Sequence, residues 1–249
     1  MNALVNLTRE LELEGVRRTL VQMQELGDPE LEAGLPLLMR LLEAEDAHRR
    51  QVRVDTLSRR ARFRYQSTLN SVVTGETRNL ERALIQRLAE GHWIRQGQNV
   101  LIIGPTGVGK SYLASALGNQ ACKLGYKTLY FNCAKLWPLL RQARHRERFE
   151  KQIAAIARCD LLILDDFGLL KLDGPDRLSF LEILEDRWGR ASTLVVSQRP
   201  LATWHEVLGD PTVADAICDR LFNNSEKIEL KGESMRRYPP KLDPNLPST

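Results

Sequence analysis

Val100-Leu101-Ile102-Ile103-Gly104-Pro105-Thr106-Gly107-Val108-Gly109-Lys110-Ser111 sets a short apolar run against a glycine-rich turn that ends in Lys-Ser. The apolar run is short enough for a buried strand, and Ser111-Tyr112-Leu113-Ala114 opens a helical pattern directly after the turn. Strand, G-x-x-x-x-G-K-[ST] and helix together make a phosphate-binding loop. Glycines at 104, 107 and 109 let the backbone turn tightly, so that successive N–H groups of Gly104, Pro105, Thr106, Gly107, Val108, Gly109, Lys110, Ser111 and Tyr112, all but the proline, line one concave surface. Lys110 adds a point charge for the outer phosphates, and the Ser111 hydroxyl is a ligand for Mg²⁺. The positive end of the following helix faces the same anion.

Helix and strand signals alternate downstream of this loop. Strands are predicted at 99–103, 127–131, 161–165, 192–197 and 226–230, with helical patterns between them. That alternation predicts an α/β fold, a five-stranded parallel sheet covered by helices on both faces. Upstream, Leu4, Leu7 and Leu11 recur at helix spacing, Gly27-Asp28-Pro29 reads as a stop followed by a new start, and a second helix is predicted from Leu35 to about Tyr65. Residues 68–77 lose periodicity and read as a linker, and a short helix is expected from Asn79 to Glu90. The expected division is a helical domain over 1–70, a nucleotide-binding domain over 71–237, and a proline-rich, disordered tail over 238–249.

Composition narrows the class. The 249 residues are 43% hydrophobic and 27% charged, with a formal charge of +4, ordinary for a globular protein. No apolar run reaches the roughly 18 residues of a membrane span, and the N-terminus lacks the pattern of a signal peptide. Cys122, Cys133, Cys159 and Cys218 show no metal-binding spacing and read as buried, reduced thiols. A cytoplasmic location and no membrane partner are expected.

Leu161-Leu162-Ile163-Leu164-Asp165-Asp166 supplies the second half of a nucleotide site. A buried strand carries Asp165 to the sheet's C-terminal edge, where ligands bind in open α/β folds. There Asp165 can hold Mg²⁺ and Asp166 can orient or deprotonate an attacking water. The polar end Ser197-Gln198 of the next strand lies within reach of the same region if strand order brings it there.

The loop, the Asp-Asp strand end, Ser197-Gln198, Gly209-Asp210-Pro211-Thr212, Asp219-Arg220-Leu221 and Lys231-Gly232-Glu233-Ser234-Met235-Arg236 stand in the order and spacing of IstB-type proteins, which the chain resembles over roughly residues 35–237. These are AAA+ ATPases that assist insertion-sequence transposases and are related to DnaC and DnaA. The resemblance implies catalytic roles for Asp166, for Gln198 as the sensor I residue, for Arg220 as an arginine finger completing a neighbour's site, and for Arg236 as the sensor II arginine. It implies ATP and Mg²⁺ as cofactors, duplex DNA and an IstA-type transposase as partners, and homo-oligomers with ATP at subunit interfaces. One departure accompanies it: Asp166 stands where the family usually has Glu. Fewer than twenty residues follow Leu230, where most AAA+ proteins continue into a helical lid, and that shortness is itself a trait of IstB-type proteins.

Seven arginines lie between Arg49 and Arg64 against one acid, Asp55. On a continuous helix Arg49, Arg53, Arg60 and Arg64 fall within about 60° of one another, a stripe about 22 Å long suited to phosphates of DNA. A solvated cationic face is the other reading of such a run. Arg141 and Arg144 form a second basic cluster, diluted by acids. A DnaC-like helicase loader, a small-molecule kinase and a nucleotide-binding DNA-packaging protein are the rival functions.

Overall fold

A computed structural model describes residues 2–26, 29–146 and 148–235, with side chains except those of 29–33 and 145. The expected stop at Gly27-Asp28, Arg236 and the proline-rich tail lie outside the described residues. Contacts divide the chain into units 1–56 and 57–249.

The first unit is helical. Helices α1 (Asn2–Glu10), α2 (Glu14–Glu25) and the first part of α3 (Pro29–Ala61) bury Leu4, Leu11, Leu20 and Leu42 in a small core. The leucine spacing thus reports a packed face, as amphipathic periodicity predicts.

The second unit begins at the end of α3 and continues through α4 (Arg82–Ala89), α5 (His92–Arg95), β1 (Asn99–Ile103), α6 (Lys110–Lys123), β2 (Thr128–Asn132), α7 (Cys133–His145) and α8 (Phe149–Ala157). It is completed by β3 (Leu161–Phe167), α9 (Gly174–Arg187), β4 (Ser192–Ser197), α10 (Trp204–Leu208), α11 (Pro211–Phe222) and β5 (Ser225–Glu229). The strands form one parallel sheet in the order β2-β3-β4-β1-β5. The central strands carry continuous apolar runs at 100–103, 161–164 and 194–196 because both faces are covered there. Val100, Ile102, Ile163 and Val196 pack under α4, α5 and α6, whereas Leu101, Leu162, Leu164 and Val195 point into the core built by α7 to α11. This is the alternation that a pleated strand imposes.

Local chemistry fixes the helix starts. Asp173 accepts from the Asp176 N–H at 2.9 Å and Asp210 from the Val213 N–H at 3.0 Å, each with a proline in the first turn. Gly209-Asp210-Pro211 is therefore a helix start in this chain, whatever else it does.

The structure corrects one expectation. The second helix does not run to Tyr65: α3 ends at Ala61, and Arg62 takes a left-handed backbone with φ 58°. Arg49, Arg53 and Arg60 lie on α3, but Arg64 lies beyond it. Phe63 is the physical reason, since its ring meets Tyr130 edge-on at 6.2 Å and lies over Gly118 of α6. A helix continuing past Ala61 would give up that burial.

Candidate nucleotide site

The turn between β1 and α6 lies at the C-terminal edge of the sheet. Gly107 has φ 88°, and a side chain there would collide with Ser234, so the position requires glycine. A side chain at Gly104 would strike the Leu230 carbonyl. Lys110 is the first residue of α6, is 6% exposed, and donates from Nζ to the Pro105 carbonyl at 2.8 Å. The loop is thereby held open with its lysine turned back across it.

Asp165 is wholly buried and sits at the centre of a polar cluster. Its Oδ1 accepts from the Ser111 hydroxyl at 2.9 Å and its Oδ2 from the Tyr130 hydroxyl. Burial, then the negative charge of Asp165, push the Tyr130 phenol up, which keeps it protonated and donating. Asp166 accepts from Asn132 Nδ2 at 2.7 Å. The strand does not stop at Asp165. It runs on to Phe167 with a bulge against β4, and Asp166 takes a left-handed φ of 56°. Bulges re-aim side chains; this one gives neighbouring acids on one strand a common front. A side chain other than Gly, Asn or Asp would be strained at that φ.

Arg64 joins this cluster. Its Nη1 lies 3.0 Å from Asp166 Oδ2 and 3.2 Å from Asp165 Oδ2, with the side chain 37% exposed. The arginine expected on a DNA-binding stripe therefore spans the carboxylates of the nucleotide site. Ser111 and Asp165 offer the hard oxygen donors that Mg²⁺ prefers, and Mg²⁺ characteristically takes few protein ligands because phosphates and waters complete its shell. No group of three or more His, Cys, Asp or Glu able to hold a metal occurs among the described residues. Replacing Arg64 with glutamine should lower the half-saturating Mg²⁺ for ATP binding about two- to fivefold, the scale of a half-exposed ion pair. A Mg²⁺ titration with a fluorescent ATP analogue measures this. Weaker ATP binding by the variant would show instead that Arg64 stays with the bound nucleotide.

A cavity of about 250 Å³ opens beside the loop, lined by Thr106, Gly107, Gly109, Lys110, Ser111, Tyr112, Asp166 and Gln198 on one side. Its apolar wall is Val72, Val73, Leu80, Leu230 and Met235, with Tyr65 and Arg78. Strand order brings Gln198 here, because β4 lies between β3 and β1, and Thr106 Oγ1 donates to Gln198 Oε1 at 2.5 Å. The stretch read as a linker supplies much of the wall through turns at Leu69–Ser71 and Glu76–Arg78. Tyr112 donates to Ser71 Oγ at 2.9 Å, tying α6 to that wall.

The remaining basic candidates lie elsewhere. Arg220 is at the end of α11, where its Nη2 meets Glu185 at 2.5 Å and its Nη1 the Ala216 carbonyl at 3.0 Å. It lines a second cavity with Asn99 and Thr193, at the strand starts and so at the edge opposite its own phosphate loop. Arg141 pairs with Asp173 at 2.7 Å and Asp176 at 2.9 Å, and Arg144 stacks over Phe149 while donating to Ser179. Arg49 is held by Glu45 at 2.6 Å and by the Leu11 carbonyl.

Sequence reasoning missed Tyr130, Asn132, Arg78 and the true place of Arg64. Asn132 carried a usable signal, a polar residue ending an apolar strand, and it is the direct partner of Asp165 across the β2–β3 pair.

A glycine loop at a strand end, a buried Ser-Asp pair beside it and the order β2-β3-β4-β1-β5 define a phosphate-loop nucleotide-binding protein of the AAA+ class. Solved structures agree at the level of fold. The DnaC helicase loader superposes with a TM-score of 0.58 at 21% identity, over 67% of this chain and 98% of that one. AMPPCP-bound DnaA from Aquifex aeolicus gives 0.57 at 21% identity, over 70% and 53%. The model of the IstB-like ATP binding protein family matches residues 6–241, and the chain belongs to that family. Among its relatives, insertion sequence ATP-binding protein y4uH of Sinorhizobium fredii is 39% identical over 233 residues, 94% of each chain. The ATP-binding protein of insertion sequence IS21 from Pseudomonas aeruginosa is 32% identical over 195 residues, 78% of this chain and 74% of that one. No helix among the described residues is long and apolar enough to cross a membrane.

Proposed function

We infer that this chain is an ATPase that assembles on duplex DNA when it binds ATP and that governs the transposase of its insertion sequence. The observation that carries the reading is family membership across 6–241, which takes in the helical unit as well as the ATP site. Lys110 and the loop N–H groups bind the phosphates. Ser111 and Asp165 hold Mg²⁺, which when bound neutralises charge on the outer phosphates. Asp166, positioned by Asn132, orients the water that attacks the γ-phosphorus. The bond to the β–γ bridging oxygen then breaks, giving ADP and phosphate. Gln198, tethered to Thr106, stands by the same end of the nucleotide. Arg220 faces away from its own loop, which suits donation to a neighbouring subunit, where a guanidinium stabilises the transferring phosphoryl group. Arg236 is proposed as a second such cation. Asp166 is one methylene shorter than the usual glutamate, and slow turnover follows, so that assembled protein persists on DNA. Arg49, Arg53 and Arg60 on α3 are the proposed phosphate contacts, with Arg141 and Arg144 as secondary ones that must first leave their internal partners.

Mass measurement with and without ATP, on duplex and single-stranded DNA, tests the reading. Large assemblies should form only with ATP and duplex DNA. In a phosphate-release assay Arg220→Ala should bind ATP but not hydrolyse it, and mixing it with Asp166→Ala should restore part of the activity. A preference for single strands would favour a helicase-loader role, and ATP-independent binding as monomers would overturn the proposal.

A further inference from the structure

Arg78 lines the nucleotide cavity. Its backbone is fixed on every side: its N–H donates to the Gly75 carbonyl at 3.1 Å, and its carbonyl accepts from the Lys231 N–H at 3.1 Å. The next residue, Asn79, adopts a left-handed φ of 50° and donates from Nδ2 to the Glu229 carbonyl at 2.8 Å. A turn clamped in this way to the exit of β5 has little freedom in where it sends its side chain. The side chain is laid on the phosphate loop, where Nη2 donates to the Val108 carbonyl and lies 3.3 Å from where a side chain on Gly109 would begin. Nη1 meets the Met235 sulfur, and the Met235 N–H in turn donates to the Gly107 carbonyl at 3.0 Å. The guanidinium is thus enclosed between the loop and the 231–235 segment.

Electrostatically this is an unfinished arrangement. Among the described residues no carboxylate pairs with Arg78, its Nε is buried without a hydrogen-bond partner, and burial holds its pKa below the ordinary arginine value. Asp166, the one acid lining the cavity, is already bound by Arg64 and Asn132. A cation partly withdrawn from water without an anion is unfavourable, though less so than a fully buried one. The missing anion has an evident source in a cavity that also contains Lys110 and the loop N–H groups.

We propose that Arg78 is a phosphate-binding residue of the nucleotide site, acting in its own subunit from the turn that precedes the loop. It grips the nucleoside di- or triphosphate on the side facing 231–235, whereas Lys110 approaches from α6. The planar fork of a guanidinium matches a pair of phosphate oxygens, and a lysine at this position would offer only a point charge. This inference rests on the reading of Gly104–Ser111 as the phosphate site. It adds a consequence for closure, because the residue that holds phosphate also touches the segment folded over the loop.

Titrations of adenosine, ADP and ATP into the full chain test it. Arg78→Met should weaken ADP and ATP roughly 10- to 100-fold, the range of one lost charge-assisted hydrogen bond, leave adenosine within twofold, and flatten the salt dependence of ADP binding. Arg78→Lys should recover part of the affinity. Wild-type ADP affinity in Arg78→Met, or an equal loss for adenosine and ADP, overturns the proposal. Failure of the wild-type chain to bind ADP at all, or undiminished binding by Lys110→Ala, would remove the site reading beneath it.

Discussion

Alanine in place of Arg187 should destabilise the 57–249 unit by about 3–5 kcal/mol and lower its melting temperature by about 6–20 °C. Arg187 closes α9 yet is only 1% exposed. Its guanidinium donates to the carbonyls of Cys159 at 2.8 Å, Ile156 at 3.0 Å and Ser192, and Nε donates to Thr193 Oγ1 at 3.2 Å. These acceptors lie at the end of α8 and at the start of β4. The carbonyls of a final helical turn lack their usual partner within the helix. One side chain therefore satisfies the end of α8 and ties it to the sheet. Truncation leaves several buried acceptors unpaired as well as a void, and each effect is worth more than a typical surface change. Burial lowers the pKa of Arg187, but from so high a starting value that it stays charged at neutral pH. Thermal denaturation followed by circular dichroism measures the loss. Arg187→Lys should recover less than half of it, because an ammonium on a shorter reach cannot serve acceptors on both elements. A change under 1 kcal/mol for the alanine variant would mean that water replaces the guanidinium without penalty.

Arg187 also shows where sequence stops being informative. A basic residue in the last turn of a helix ordinarily answers the helix dipole from the surface. Its burial depends on the convergence of α8, α9 and β4, and that is a tertiary fact. The sheet itself was legible because its central strands carry apolar runs at 100–103, 161–164 and 194–196 and its turns carry Gly, Pro and Asp with local roles. The phosphate loop was legible because its glycines answer backbone demands that hardly depend on context. Arg64 was not legible. Nothing at Ala61-Arg62 announces a stop, neither Gly nor Asn nor Pro, and the helix breaks because Phe63 finds a site against Tyr130 and Gly118. The same break takes the arginine off the helix and onto Asp165 and Asp166. Residues 68–77 did lack long regular elements, yet absence of periodicity says nothing about position, and this stretch walls the nucleotide cavity. Tyr130 became readable only once β2 was known to lie beside β3.

Alanine in place of Lys110 should abolish ATP binding at concentrations that saturate the wild-type chain. The ammonium is almost wholly buried at the first residue of α6, where it donates to the neutral carbonyl of Pro105. Phosphate oxygens are better acceptors than that carbonyl, so the lysine is poised to exchange one for the other. The loop N–H groups and the start of α6 remain in the variant, but these are dipoles, and one full charge is lost where the ligand carries its highest charge density. A loss of about 100-fold or more in affinity follows. Linkage turns this into a stability measurement. At a ligand concentration 100 times its dissociation constant, ATP should stabilise the wild-type unit by about 2.7 kcal/mol, whereas a variant binding 100-fold more weakly should gain only about 0.4 kcal/mol. For a unit of this size those gains correspond to shifts of about 5–11 °C and less than about 2 °C. The unliganded variant should melt close to wild type, since one hydrogen bond to Pro105 is lost but a buried charge is relieved as well. That comparison separates loss of binding from loss of fold. Should Lys110→Ala keep the full ATP-dependent shift, the phosphates do not lie in the loop at Gly104–Ser111, and the roles given to Ser111, Asp165 and Arg78 fall with it.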